Sequence, residues 1–287
     1  TSTIQCFGGY KYGSGATSFM NCHCETHGQR IDLNTAIYRS CNSYFSNAYR
    51  KVIEKYSKPY DGMNVWNKHV ESFGFGNYLN NDLAVGQKGL IPDGNYYNRA
   101  YPNGRWRSTA TISNAIGQGE VLTTPIQLAN MTAAVANRGF YFTPHIAKHI
   151  EGIELDKKFT VPNNTSIDKK YFEPVIEGLF NVVENPRGTA HWSKVQGIEI
   201  CGKTGTAENP HGQDHSIFIA FAPKDNPKIA IAVFVENGYW GSRWAGPIAT
   251  LMIEDYLKGS ISRPKEEERM FNGSLQEEYN KQLIENN

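Results

Sequence analysis

The sequence predicts an α+β fold, an antiparallel sheet flanked by helices, on three observations. Ser216–Ala222 and Lys228–Glu236 are near-continuous apolar runs joined by Pro223-Lys224-Asp225-Asn226-Pro227, a linker suited to an antiparallel pair of strands. Apolar residues recur at helical spacing after Asn42, after Thr124 and after Pro247, so helices surround those strands. A chain of 287 residues with 12% aromatics and twenty-seven glycines can bury a sizeable core between many turns.

The elements follow in order. Residues 1–30 are rich in Gly, Cys and His and read as an ordered loop or small ribbon. Asp32 suits a helix N-cap, Leu33, Ala36 and Ile37 follow at helical spacing, and that helix ends near Ser40. A second helix spans Asn42 to Tyr56, with Phe45, Ala48, Tyr49, Val52 and Tyr56 as its apolar face. Residues 57–115 read as loop. Thr124-Pro125-Ile126-Gln127 carries a cap, a first-turn proline and a capping-box glutamine, and its helix stops at Gly139. Phe140 to Ile150 reads as extended chain, and a helix follows near 168–184. Strands are expected at Val195–Lys203, Ser216–Ala222 and Lys228–Glu236, the last two buried on both faces. The closing helix starts at Pro247, buries Ala249, Met252, Ile253, Tyr256 and Leu257, and ends at Gly259. From Ser260 the chain reads as a polar, solvated tail, helical in part.

A net charge of +1 gives no pull toward nucleic acid, and no nucleic-acid partner is expected. No stretch has the roughly 20 apolar residues that span a bilayer, and no signal peptide opens the chain. The opening at Thr1, without an initiator Met, reads as the remainder of a longer protein.

Two short motifs carry the chemistry. Lys203-Thr204-Gly205-Thr206 follows a strand, and Ser40-Cys41-Asn42 lies at a helix-to-helix junction, where side chains can enter a cleft. Lys203 would draw in a carboxylate, and the Thr204 and Thr206 hydroxyls can donate to it. Gly205 lets a ligand backbone lie close, and the Thr206 N–H can face a developing oxyanion. The Ser40 hydroxyl can pass a proton, and the Asn42 carboxamide can both donate to and accept from an amide. Alone, Lys-Thr-Gly is also the composition of a polar strand end, and Ser-x-Asn that of a helix cap.

Together, in this order, the motifs belong to a known set. The chain resembles the transpeptidase domain of class B penicillin-binding proteins, most closely the elongation-type penicillin-binding protein 2. The likeness runs from about Cys6 to Gly259. It rests on His27-Gly28, Asp32-Leu33, Ala36-Ile37 and Ser40-Cys41-Asn42 with Tyr44-Phe45. It continues through Gly117-Gln118-Gly119, Thr124-Pro125, Gln127-Leu128-Ala129, Gly188-Thr189-Ala190 and Gly202 to Ala207. It closes on Phe221-Ala222-Pro223, Val235-Glu236-Asn237-Gly238 and Ala245-Gly246-Pro247-Ile248-Ala249.

The resemblance implies the penicillin-binding transpeptidase and serine β-lactamase-like fold, with residues 1–259 as the C-terminal portion of that domain and 260–287 as its tail. It implies acyl transfer on peptidoglycan stem peptides through a serine acyl-enzyme formed at D-Ala-D-Ala, the step that β-lactams mimic. Carried over, Ser40 relays protons, Asn42 holds the substrate amide, and Lys203 orients Ser40 and attracts the carboxylate, with Thr204, Gly205 and Thr206 binding substrate. The full-length relative would face the periplasm from an N-terminal membrane anchor, beside a glycan-polymerising partner.

Two departures stand out. The family's nucleophile lies in a Ser-x-x-Lys turn before Ser-x-Asn. The literal matches here, Ser166-Ile167-Asp168-Lys169 and Ser262-Arg263-Pro264-Lys265, both come after it and read as chance. The nucleophile, its lysine and the first strands of the sheet are therefore expected upstream, outside this chain, and this fragment alone is expected to be inactive. The second departure is Cys6, Cys22, His23, Cys24 and His27, dense enough in thiolate and imidazole for tetrahedral zinc. A Cys6–Cys22 disulfide or free thiols are the alternatives, and no further cofactor is expected. Cys41 and Cys201 read as small buried fillers. Two other functions use the same motifs or fold, a β-lactamase or β-lactam sensor and a non-catalytic scaffold. The long 57–115 segment and the class B matches weigh against the first.

Overall fold

The computed structural model describes residues 2–15, 17–103 and 105–285, with side chains described through Lys281. The N-terminal stretch is a ribbon. β1 (Ile4–Gln5) pairs antiparallel with β4 (Arg30–Ile31), and between them β2 (Gly9–Lys11) pairs with β3 (Phe19–Asn21). The helix α1 (Leu33–Tyr38) follows, capped by the Asp32 carboxylate, which accepts from Thr35 N at 2.9 Å. Next is α2 (Asn42–Ile53), whose buried face differs from the expected one. Ala48 and Val52 are exposed, whereas Ser43, Tyr44, Ser46, Tyr49 and Ile53 are buried. Its small hydroxyls back onto the ribbon, Ser43 against Cys6 Sγ at 3.2 Å and Ser46 against Met20 Sδ at 3.2 Å.

The segment expected as loop holds two helices, α3 (Pro59–Glu71) and α4 (Gly94–Ala100), and a 3-10 helix at Ser108–Ile116. Pro59 opens α3 and Asp93 caps α4, accepting from Tyr96 N at 2.7 Å. Hydroxyls and amides bond this segment to α2. Tyr49 donates to Thr111 at 2.8 Å, Asn114 donates to the Tyr97 hydroxyl at 2.8 Å, and Tyr97 donates to Glu120 at 2.8 Å. The helix α5 (Pro125–Ala136) has the predicted capping box, with Thr124 and Gln127 satisfying each other's backbone. Of the extended run that follows, only β5 (Phe140–Tyr141) is strand, paired with β6 (Asn163–Asn164). Then comes α6 (Phe172–Glu184), within the expected range.

The main sheet is antiparallel, in the order β7 (Cys201–Ala207), β8 (His215–Ala222), β9 (Ile229–Val235). β7 starts later than predicted and runs through Lys-Thr-Gly-Thr, because Cys201 to Ala207 pair residue by residue with Phe221 to His215. The closing helix α7 (Ala245–Lys258) packs on the sheet, its Ala245, Ala249 and Ile253 in one core with Phe218, Ala220 and Ala222. Alternation turns Phe221 to the other face, where it meets Ala136 of α5 and Ile176 of α6. β9 is only half buried, contrary to expectation, and is one of the two end strands of this sheet among the described residues.

Met252 and Tyr256 of α7 face solvent, and Glu254 takes the buried place instead. Burial opposes its charge, but Ser262 and Arg263 outweigh that and hold the carboxyl below its ordinary value. Beyond Gly259 the chain forms α8 (Pro264–Asn272) and α9 (Leu275–Glu285). They pack back on the loop after β9: Arg243 pairs with Glu278 at 2.9 Å, and Tyr279 donates to the Asn237 carbonyl. Among the described residues, no helix is long and apolar enough to cross a membrane.

Candidate active site

The two sequence motifs meet. Lys203 Nζ donates to Ser40 Oγ at 2.8 Å and to the carbonyl of Thr204 at 2.9 Å. β7 holds Lys203 by its pairing with Ile219, and burial of the amine pushes its pKa down to about 8. Glycine suits this close packing: a Cβ on Gly205 would sit a tight 3.2 Å from Ile217 Cβ, and a Cβ on Gly241 would run into the Gly205 backbone, 2.8 Å from its carbonyl oxygen.

Ser40 stands where a helix normally ends in glycine. Its N–H donates to Ile37 O and the Cys41 N–H to Ala36 O, the paired bonds that close a helix with a left-handed residue. Ser40 takes that conformation at φ 53°, a strain of about 1 kcal/mol that a glycine would avoid. The strained residue is the one whose hydroxyl meets Lys203.

Around it, Asn42 Nδ2 donates to the carbonyl of Asn21 in β3 at 2.9 Å. Thr204 and Thr189 share a hydroxyl bond at 2.8 Å, and Thr189 N–H donates to Tyr38 O, so the Gly188-Thr189-Ala190 turn bridges β7 to α1. Arg39, unmarked by the sequence reading, donates to the carbonyls of Cys24 at 2.8 Å and Arg187 at 2.6 Å. It ties the N-terminal ribbon to that same turn. Gln118 Nε2 reaches the Thr206 carbonyl at 3.1 Å from the loop after the 3-10 helix. The two late Ser-x-x-Lys matches take no part: Ser166 bonds to His69 and Ser72, and Ser262 to Glu254.

The cysteines gather differently from the expected set. Cys6, Cys22, Cys24 and Cys41 bring four buried sulfurs within 4.8 Å of one another. His23 and His27 stay outside on the exposed side. Burial alternates along this bent segment: Cys22, Cys24 and Thr26 are buried, whereas His23, Glu25 and His27 are exposed. Cys41, read as a filler, supplies the fourth sulfur from between Ser40 and Asn42. The inward period of two was visible in the sequence, but the reach of Cys41 was not. The Cys6–Cys22 disulfide, one of the alternatives, is not formed, and all five cysteines are free thiols.

This donor set fits zinc. Zn–S bonds of about 2.3 Å give a tetrahedron with sulfur–sulfur edges of about 3.8 Å. Cys6 and Cys24 lie 3.5 Å apart and Cys22 and Cys41 3.7 Å apart. Within the cluster the hydrogen bond with Cys41 holds the Cys22 thiol below its ordinary pKa, while that same bond pushes Cys41, and burial pushes Cys24, above theirs.

A family model described as the penicillin binding protein transpeptidase domain matches residues 1–254. The peptidoglycan D,D-transpeptidase MrdA of Acinetobacter baumannii is 33% identical over 74% of this chain and 32% of its own length. MrdA of Haemophilus influenzae is 32% identical over 80% of the chain and 37% of its own length. The chain thus spans about a third of the curated relatives it matches. Among solved structures, Pseudomonas aeruginosa PBP2 in complex with WCK 5153 matches with a TM-score of 0.76 and 32% identity, over 90% of this chain and 54% of that one. Helicobacter pylori PBP2, in complex with MreC, matches with a TM-score of 0.71 and 27% identity, over 90% of this chain and 45% of that one. With a family model matched along most of its length and both motifs joined at 2.8 Å, the chain belongs to the penicillin-binding protein transpeptidase domain family.

Proposed function

We propose that the protein to which this chain belongs is a peptidoglycan D,D-transpeptidase, and that the stem peptide binds along the end strand β7 beside Ser40. The observation that carries this reading is the 2.8 Å contact between Lys203 Nζ and Ser40 Oγ. The nucleophilic serine is expected from a Ser-x-x-Lys turn outside these residues. Its oxygen attacks the penultimate D-alanine carbonyl, and the peptide C–N bond breaks. The leaving D-alanine amine takes a proton through Ser40, and an incoming amine returns one as it displaces the ester.

Lys203 holds Ser40 in line and attracts the terminal carboxylate, to which Thr204 and Thr206 donate. Gly205 lets the peptide backbone approach β7, and Asn42 holds the substrate amide. β-Lactams enter the same site as mimics of the dipeptide.

Cys6, Cys22, Cys24 and Cys41 would hold one zinc ion. The ion supplies structural cross-linking, and because Cys41 separates Ser40 from Asn42, the cluster fixes the catalytic turn. A periplasmic setting and a glycan-polymerising partner fit this reading. One structural neighbour comes from a study of polymerisation and crosslinking by a peptidoglycan synthase complex, with a TM-score of 0.74 and 27% identity.

The test is intact mass after a labelled penicillin. The full-length protein is expected to gain one covalent adduct, and residues 1–287 alone none. An adduct on the short chain, or none on the full-length protein, would refute the assignment.

A further inference from the structure

We propose that Gln118 is a further residue of the substrate site, a plug that occupies the binding edge of β7 until the peptide displaces it; this rests on the transpeptidase reading above. β7 is an end strand, paired only with β8 among the described residues. In an antiparallel ladder every second residue turns its N–H and C=O outward. The Thr204 and Thr206 carbonyls belong to that outward set, for they accept from Lys203 and from Gln118. An extended peptide joining the edge would pair its own amide N–H with the same acceptors.

Gln118 presents a primary amide to Thr206 O at 3.1 Å, the donor that a peptide N–H would offer. The turn that carries it leaves space on one side. Gly117 and Gly119 flank it in left-handed conformations, φ 74° and 73°, and a Cβ on Gly117 would meet nothing within 4 Å. The base of the loop is fixed, with Gln118 N–H on Ser113 O and Asn114 in the buried tyrosine network. Only the tip has to swing.

Replacing the plug by a side chain of similar length without a donor should ease binding without altering chemistry. In the full-length protein, Gln118→Met and Gln118→Ala are expected to lower the half-saturating concentration of labelled penicillin about 3- to 10-fold, the weight of one neutral hydrogen bond. The limiting acylation rate should stay within about twofold. An unchanged or raised half-saturation, or a change confined to the limiting rate, would overturn the plug. Should the variants not fold, hydrogen exchange on the wild-type decides. The Gln118 side-chain amide protons, read by NMR, are expected to exchange faster in the acyl-enzyme, while the backbone N–H bonded to Ser113 O keeps its protection; equal or slower side-chain exchange would overturn the proposal. A wild-type protein that takes no label refutes the transpeptidase reading instead, so the two failures are distinct.

Discussion

The two halves of the candidate site are held by different physics. Lys203, Thr204, Gly205 and Thr206 sit in a strand with a full ladder to β8 and a packed core beneath it, where Phe218 and Phe221 are fully buried. Ser40, Cys41 and Asn42 sit on a strained turn, tied down by side chains: the sulfur cluster, the Asn42–Asn21 bond and the Arg39 bridges. The strand half is fixed by backbone geometry and tolerates loss of a side chain without moving. The turn half depends on each of its ligands. Substitutions in the strand should therefore change chemistry alone, while those around the turn should change chemistry and stability together.

The largest effect is expected in the strand half. Lys203→Met in the full-length protein should lower the rate of penicillin acylation by about 10²- to 10⁴-fold, the range for losing a proton-transfer partner, with a melting temperature near neutral pH that does not fall and rises if the buried charge was costing stability. A comparable loss of melting temperature would put Lys203 among the structural residues and blur the contrast. In the turn half, Cys22→Ser should abolish an otherwise stoichiometric zinc content measured by metal analysis of untagged protein. It should slow acylation about 10- to 100-fold while lowering the melting temperature. Wild-type protein free of zinc would remove the clamp from the account.

Next comes pH. The protonated amine is the form that donates to Ser40 and attracts a carboxylate, so kcat/KM should fall as pH rises through about 8, the value to which burial lowers Lys203. Stability should move the other way. From about 8 up to the ordinary lysine range the unfolded chain keeps the proton that the folded one has lost, so folding is favoured as pH rises. Lys203→Met should remove both trends. The smallest effect on stability is expected at Ser40. Ser40→Gly should raise stability by about 1 kcal/mol in denaturant melts, by relieving the left-handed serine, while acylation collapses.

That contrast also explains what the sequence disclosed. The β8 and β9 strands, the capping box at Thr124 and the pairing of Ser40 with Lys203 were legible, because each is written in local periodicity or in motif order. The helices at Pro59–Glu71 and Gly94–Ala100 were not, since asparagines, glycines and tyrosines diluted their apolar period. Met252 and Tyr256 were wrongly expected to be buried, and Glu254 went unnamed, because a carboxylate reads as surface until Ser262 and Arg263 are seen to pair with it. Cys41 was missed as a member of the cluster for a different reason: the three other sulfurs sit on a ribbon whose fold against α2 no local pattern encodes.

The central claim is that Ser40 and Lys203 act as one unit. A double-mutant cycle of penicillin acylation with Ser40→Ala, Lys203→Met and both together in the full-length protein tests it most directly. The account predicts strong non-additivity, with the double variant little slower than the worse single one. Losses that simply multiply would contradict it.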